Sequence, residues 1–262
     1  MKTVFVSLAA ACLLGACSGG SKNVTEVVTV GNVSFEMALV EAGSFTMGAT
    51  PEMQLDDENY YSSERPAHKV TLTNDFYIGK TEVTRGLWKS VMGSYAGYDQ
   101  NVDTDNKPMA FVSWNDCQKF ITKINELTGK TFRLPTEAEW EFAARGGNKS
   151  DKFKFSGSNN IDEVGWYTNN SDDVAQDVAT KKPNELGVYD MTGNLFEWCA
   201  DAEYEYDGAD QTDPLGGSEV SDAYRVKRGG SCISPEWPVA ARTNSSPDWS
   251  DSVLGLRLVL IK

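Results

Sequence analysis

The sequence predicts an α+β domain, because two well-delimited helices lie among many short strands and an apolar strand closes the C-terminus. The chain has 262 residues, of which 40% are hydrophobic and 11% aromatic. This length and composition suffice for one large domain with a substantial core. No internal repeat and no second long hydrophobic span interrupts the pattern.

Two helices have clear start and stop signals. Ser113 and Asp116 have the spacing of a capping box, apolar residues then recur on one helical face, and Gly129 ends the helix. Thr136 and Glu139 repeat the capping-box spacing at the start of the next helix. A shorter helix is expected over residues 85–92, and short strands over 37–40, 44–47, 70–72, 76–78 and 256–260.

The N-terminus predicts secretion and a lipid anchor. Lys2 precedes a short apolar run and small residues, which indicates a signal peptide over residues 1–16. Leu14-Gly15-Ala16-Cys17 resembles a bacterial lipobox, in which cleavage precedes a cysteine that is then acylated. We therefore expect lipidation at Cys17, a flexible tether over 17–34 and a folded domain over 35–262. The alternative is a plain signal peptide with a chance cysteine.

This N-terminus places the protein in the bacterial cell envelope, attached to the membrane through the lipid. No aspartate follows Cys17, which favours the outer membrane or the cell surface over retention at the inner membrane. The formal net charge of −14 opposes binding to phosphate backbones, so no nucleic-acid partner is expected. His68 is the single histidine, which excludes a metal site built on several imidazoles.

Several separate segments, in order along the chain, resemble one family. They are residues 40–48, 64–70, 80–84, 112–114, 133–141, 187–198, 225–231 and 255–257. The most specific is Arg-Leu-Pro-Thr-Glu-Ala-Glu-Trp-Glu at 133–141. The chain resembles the formylglycine-generating enzymes, also called the sulfatase-modifying-factor domain family. The resemblance implies a C-type-lectin-like fold that fills the mature chain.

The catalytic residues of that family are not matched. Its enzymes use a Cys-x₄-Cys pair that binds Cu(I), and the corresponding positions here are Ser234 and Val239. We therefore expect no copper and lean towards a protein without catalysis. The alternative is an oxidase of the formylglycine-generating type with an altered site. One histidine also excludes the related sulfoxide synthases, which use three-histidine iron.

Calcium is the metal that the resemblance implies. Family members hold Ca²⁺ in a loop around Gly-Asn-x-x-Glu-Trp, through side-chain and backbone oxygens. The matching ligands here are Asp190, Gly193, Leu195 and Glu197. The alternative is a tight turn with Trp198 packed behind it.

The C-terminal loop over residues 232–253 is the expected ligand surface. It is rich in Ser, Asp and Trp, a composition that suits a binding surface. Its candidate ligand-binding residues are Cys232, Ile233, Ser234, Glu236, Trp237, Thr243, Asn244, Asp248, Trp249, Ser250 and Asp251. The expected ligand is a protein or a glycan at the cell surface.

This loop also resembles the diversified region of variable proteins from diversity-generating retroelements. Those proteins use the same fold and keep a C-terminal frame around a mutable, ligand-facing loop, and several are bacterial lipoproteins. Sequence diversification of residues 232–253 is therefore a hypothesis. The alternatives are ordinary drift in the loop, and a structural role in an envelope or secretion assembly.

Overall fold

A computed structural model describes residues 23–53, 62–95, 104–217 and 223–262. The predicted signal peptide and the lipidation site Cys17 lie outside these ranges. Within them, no helix combines the length and the apolar character that crossing a bilayer requires.

The described residues form three sheets, which confirms the predicted α+β class. The strands are β1 Thr25–Val30, β2 Val33–Val40, β3 Gly43–Met47, β4 His68–Leu72, β5 Phe76–Gly79, β6 Phe132–Arg133, β7 Phe196–Ala202, β8 Gln211–Thr212, β9 Arg225–Arg228, β10 Arg242–Ser245, β11 Leu254–Gly255 and β12 Val259–Ile261. Their orders are β1-β2-β5-β12-β6, β10-β9-β7-β11 and β3-β4-β8. The closing strand β12 pairs with both β5 and β6, so the C-terminus completes the sheet that the N-terminus begins.

The tether predicted over 17–34 is wrong from Thr25 onward. β1 and β2 form an antiparallel hairpin in which Thr25 pairs with Ala38 and Val30 pairs with Val33. Gly31 has a φ of 62° in the two-residue turn, a conformation that glycine adopts without strain. The Gly-Asn pair between two β-branched runs was the signal in the sequence for this hairpin.

Both capped helices are confirmed. The helices are α1 Arg85–Met92, α2 Trp114–Thr128, α3 Glu137–Ala144 and α4 Ile161–Val164. Ser113 and Asp116 form a reciprocal capping box at α2, and Thr136 and Glu139 form one at α3. Such caps satisfy amide groups that a helix N-terminus otherwise leaves unpaired.

Residues on β7, β9 and β10 alternate between two environments. Glu197 of β7 and Arg242 of β10 both lie opposite Arg228 of β9, and all three are buried. Trp198 and Thr243 lie opposite the neighbouring Lys227, on the other face of the sheet. One face therefore carries buried charges, while the other supports the loops that form the candidate site.

Candidate functional site

Two segments, residues 111–115 and 168–171, hold the C-terminal loop through four hydrogen bonds. The Phe111 amide donates to the Asp251 carbonyl at 2.8 Å. The Ser171 hydroxyl donates to the Cys232 carbonyl at 2.6 Å. The Thr168 amide donates to the Ser234 carbonyl at 3.0 Å, and the Asn115 side chain donates to Asp248 at 2.7 Å. The loop is therefore fixed at several points rather than only at its ends.

A cleft opens between the loop and its neighbours, and we call it the Cys232 cleft. It has a volume of about 410 Å³ and is lined by Arg85, Lys107, Ala110, Phe111, Asp173, Val174, Ala175, Cys232, Ser252 and Val253. Phe111 and Asp173 have φ values of 57° and 58°, which are uncommon for residues with a side chain. Residues held in this conformation are frequent at binding sites, where surrounding structure compensates for their strain.

Large apolar side chains are exposed around this cleft. Val174 lines it and is 53% exposed, and Ile233, next to Cys232, is 50% exposed. Trp249 is 54% exposed, and its indole N–H donates to Asp251 at 2.9 Å, which orients the ring. Apolar groups of this kind around a cleft with charged lining residues are typical of a surface that a partner covers.

The predicted ligand-binding residues do not form one surface. Cys232 and Ser234 are buried, so neither adds to the exposed surface of the loop, although Cys232 lines the cleft; a ligand-binding role for either stays a prediction. The Ser234 hydroxyl accepts from the Ser231 amide at 3.0 Å, a local contact that sequence spacing did not reveal. Ile233, Glu236, Asp248, Trp249 and Ser250 are exposed, whereas Trp237, Thr243, Asn244 and Asp251 are partly buried.

Trp237 fills space beside the sheet. Its ring meets Phe196 edge-on with centroids 5.3 Å apart, and its Cβ lies against Gly230. A Cβ added at Gly230 would approach the Trp237 Cβ to 2.6 Å, so glycine is required there. Trp237 is therefore a packing residue of the framework as much as a surface residue.

Thr243 and Asn244 line a different cavity, which we call the tyrosine cleft. It has a volume of about 650 Å³ and is lined by Ser63, Arg65, Glu203, Tyr204, Glu205, Tyr206, Val226, Arg242, Thr243 and Asn244. The two clefts share no lining residue. Sequence reasoning missed all but two of these residues because the Glu203–Tyr206 segment reads as a solvated acidic loop.

The described cysteines are protonated thiols in buried positions. Burial raises the pKa of the Cys232 thiol to about 11 and holds the pKa values of Cys117 and Cys199 well above their usual range. The thiolate is the form that attacks substrates and binds copper, and these surroundings disfavour it. His68 is also buried, with its ring edge against Tyr206 at a centroid distance of 4.7 Å, as a structural role requires.

The proposed calcium ligand Glu197 is engaged by other groups. Arg257 donates to both of its carboxylate oxygens at 2.6 to 3.1 Å, and the Trp140 indole donates to it at 2.7 Å. Asp190 differs, because its Oδ2 accepts from the Ala179 amide while its buried Oδ1 meets no hydrogen-bond donor in the described part. Within the described ranges, no three His, Cys, Asp or Glu side chains are grouped closely enough to hold a metal ion.

Glu82 is a neighbouring buried carboxyl that sequence reasoning missed. Its oxygens accept from the Leu195 amide at 3.1 Å and from the Asn194 side chain at 2.9 Å. Burial, together with the charges of Asp190 and Glu197, raises the pKa of Glu82 well above its usual range. Burial also raises the pKa of Asp190 to about 6. Three carboxyl groups therefore surround the single Arg257 guanidinium, an excess of acid that a proton or a cation would relieve.

Comparison with known proteins places this geometry in a family. Residues 26–261 match the model of the sulfatase-modifying factor enzyme 1-like domain. The chaperone protein LppX of Paenibacillus barcinonensis is 32% identical, with 88% of each chain covered. The formylglycine-generating enzyme of Thermomonospora curvata is 36% identical over 65% of this chain and 62% of its own length.

A solved structure supports the same assignment. Variable protein 1 of Treponema denticola superimposes with a TM-score of 0.81 and 30% identity, covering 91% of this chain and 99% of that protein. The sequence resemblance and the predicted C-type-lectin-like fold are confirmed by these matches. The chain belongs to the sulfatase-modifying factor domain family.

Proposed function

We propose that this protein is a lipid-anchored component of the bacterial envelope that binds a protein partner through the rim of the Cys232 cleft, without catalysis. The observation that carries the proposal is the exposure of three large apolar side chains. Val174 lines the cleft, Ile233 follows the lining residue Cys232, and the Trp249 indole donates to Asp251, which precedes the lining residue Ser252. An apolar rim suits a partner segment that presents apolar side chains. The similarity to a variable protein and to a chaperone named LppX supports a binding role.

The absence of oxidase activity rests on the residues at the positions of the copper-binding pair. Ser234 and Val239 offer no thiolate, and the Cys232 thiol is held in its protonated form. We expect no copper-dependent conversion of a Cys-x-Pro-x-Arg peptide by the purified protein. Conversion at a rate above that of free copper would contradict this part of the proposal.

Binding is tested by site-specific photo-crosslinking of the full-length, lipidated chain in its own envelope. A photoreactive residue replaces Trp249 at the rim, and the matched control replaces Leu127, which is similarly exposed at 47% near the end of α2. We expect one discrete cross-linked protein from position 249 and none from position 127. Equal cross-linking at both positions, or none at position 249, would contradict the proposed surface.

Lipid anchoring at Cys17 is tested independently of binding. We expect intact-mass analysis to show acylation, and a Cys17→Ser variant to leave the membrane fraction. Outer-membrane or surface placement is tested by fractionation and by accessibility to an added protease. A wild-type chain that stays soluble and unacylated would overturn the anchor while leaving the cleft untouched.

Diversification of the loop is a further part of the proposal and is tested by sequencing the locus across strains. We expect substitutions to concentrate between residues 232 and 253, on exposed positions such as Ile233 and Trp249. Buried Cys232 and Ser234 serve as internal controls, because changes there disturb the framework. An even spread of substitutions along the chain would contradict diversification.

We propose that calcium binds at the loop around Asp190 with fewer side-chain ligands than the sequence predicts. The unpartnered Oδ1 of Asp190 fits a hard cation, and the backbone carbonyls of Gly193 and Leu195 remain its proposed companions. Glu197 fits less well as a ligand, because Arg257 occupies both of its oxygens. Calcium bound here would offset the excess acid that Glu82 and Asp190 create.

A further inference from the structure

Arg242 lines the tyrosine cleft, and its charge and its N–H donors are already paired within the protein. Arg242 donates to both oxygens of Glu137 at 2.7 and 2.6 Å, and to the Tyr204 carbonyl at 2.7 Å. Its guanidinium lies 4.7 Å from the centre of the Tyr204 ring and 4.4 Å from that of Tyr206. Arg242 therefore orders both aromatic rings, and its charge is offset by Glu137.

The remaining lining groups are rich in hydrogen-bond acceptors. Tyr206 is only 5% exposed, and its hydroxyl, like that of Tyr204, has no hydrogen-bond partner in the described part of the chain. The Asn244 side-chain nitrogen donates to Glu203 at 2.5 Å, and the same side chain also carries an acceptor oxygen. Glu205 adds an exposed carboxylate. A buried hydroxyl without a hydrogen-bond partner destabilises the protein, and a bound donor would satisfy it.

The charge around the cleft is negative. Residues 201–213 include six acidic residues and no lysine or arginine. Glu203 and Glu205 belong to this run and line the cleft, whereas Arg65 is the one lining cation not offset by Glu137 among the residues described. The local potential therefore attracts cations and repels anions.

We infer that the tyrosine cleft is a second binding site, which takes the guanidinium or ammonium group of a basic segment on a partner protein. Arginine and lysine side chains carry only donors, which match the carboxylate, phenol and amide oxygens of the lining. An anionic ligand would meet Glu203 and Glu205, and a neutral saccharide would gain nothing from the acidic run.

The test measures binding of a labelled peptide of alternating arginine and glycine to the full chain by fluorescence anisotropy. The comparator is the same peptide with glutamine in place of arginine, and a neutral trisaccharide serves as competitor. The cleft variant is Glu203→Gln with Glu205→Gln. The matched control is Asp207→Asn with Asp210→Asn, which removes two exposed charges from the same run outside the lining.

We expect the arginine peptide to bind, the glutamine peptide not to bind, and the cleft variant to weaken binding about tenfold. The control variant should weaken it less than about threefold, because only diffuse attraction is lost. Equal weakening by both variants, equal binding of the two peptides, or displacement by the trisaccharide would each overturn the inference.

This site is independent of the proposed partner surface. Trp249→Ala should leave peptide binding unchanged, because Trp249 does not line the tyrosine cleft. Loss of peptide binding in Trp249→Ala would show that the two clefts are one surface and would overturn the separate site. Failure of cross-linking at position 249 with retained peptide binding would count only against the proposed function.

Discussion

The two faces of the β7–β9–β10 sheet differ in the side chains that they bury and expose. On one face, Arg228 donates to Glu137 and Glu141, and Arg242 donates to Glu137, with every carboxylate fully buried. On the other, the segment that follows β10 leaves Trp249 more than half exposed. A cluster of buried charges thus lies beside the apolar core, and a few large apolar groups lie at the surface, which are both exceptions to the usual distribution.

Different interactions hold the two faces in place. Buried ion pairs are poor net contributors to stability, but breaking one leaves an uncompensated charge that strongly destabilises the fold. The charged face therefore fixes the framework in one arrangement. The loop face is held by backbone hydrogen bonds from neighbouring segments, such as Phe111 to Asp251, so its exposed side chains are not needed for folding.

The largest expected effect comes from breaking the charged face. Glu137→Gln leaves Arg228 and Arg242 without their shared carboxylate and should lower the free energy of unfolding by about 3–5 kcal/mol. Equilibrium unfolding in urea measures the loss. The control is Glu163→Gln, which removes an exposed pair with Lys182 and should cost less than about 1 kcal/mol. Equal losses would show that the buried network contributes no more to the free energy of unfolding than an exposed ion pair does.

A smaller effect is expected from pH. Burial and the charge of Glu137 raise the pKa of Asp201 to about 7, and burial raises that of Asp190 to about 6. Because these folded-state pKa values exceed the unfolded ones, the folded protein binds more protons, and stability falls as pH rises through them. Urea unfolding in chelator should show a loss of about 1–3 kcal/mol between about pH 5 and pH 8. A rise over that range would contradict these assignments.

Calcium should raise stability by about 1–2 kcal/mol at concentrations well above its dissociation constant. The discriminating variant is Asp190→Asn, which should remove the calcium-dependent shift in melting temperature. Asp248→Asn is the exposed control and should keep the shift. Glu197→Ala is a poor test, because it breaks the pair with Arg257 whether or not calcium is present. An unchanged melting temperature of the wild-type chain in calcium and in chelator would refute the site.

The smallest stability effect belongs to the loop face. Trp249→Ala should change the free energy of unfolding by less than about 0.5 kcal/mol, because the ring is largely exposed. The same change should abolish recovery of the partner protein when the envelope is treated with a general cross-linker. A large loss of stability would mean that Trp249 belongs to the framework, and the contrast between the two faces would fail.

Local signals predicted part of this molecule correctly. The capping boxes at Ser113 and Thr136 gave correct starts for α2 and α3, because caps depend on neighbouring residues. The burial of Cys117 followed from its place on the apolar stripe of α2. The hairpin over β1 and β2 has a signal in Gly31-Asn32, but the predicted tether over 17–34 covers β1 and the first two residues of β2.

The sequence by itself determined the fold class, the family and the residues at the positions of the copper pair, since each depends on local pattern or on matched motifs. Only the tertiary structure decided that Cys232 and Ser234 are buried, that Arg257 engages Glu197, and that Thr243 and Asn244 face a separate acidic cleft. The physical reason is distance along the chain. Arg242 and Glu137 are 105 residues apart, and no local pattern reports which distant side chain a buried charge will meet.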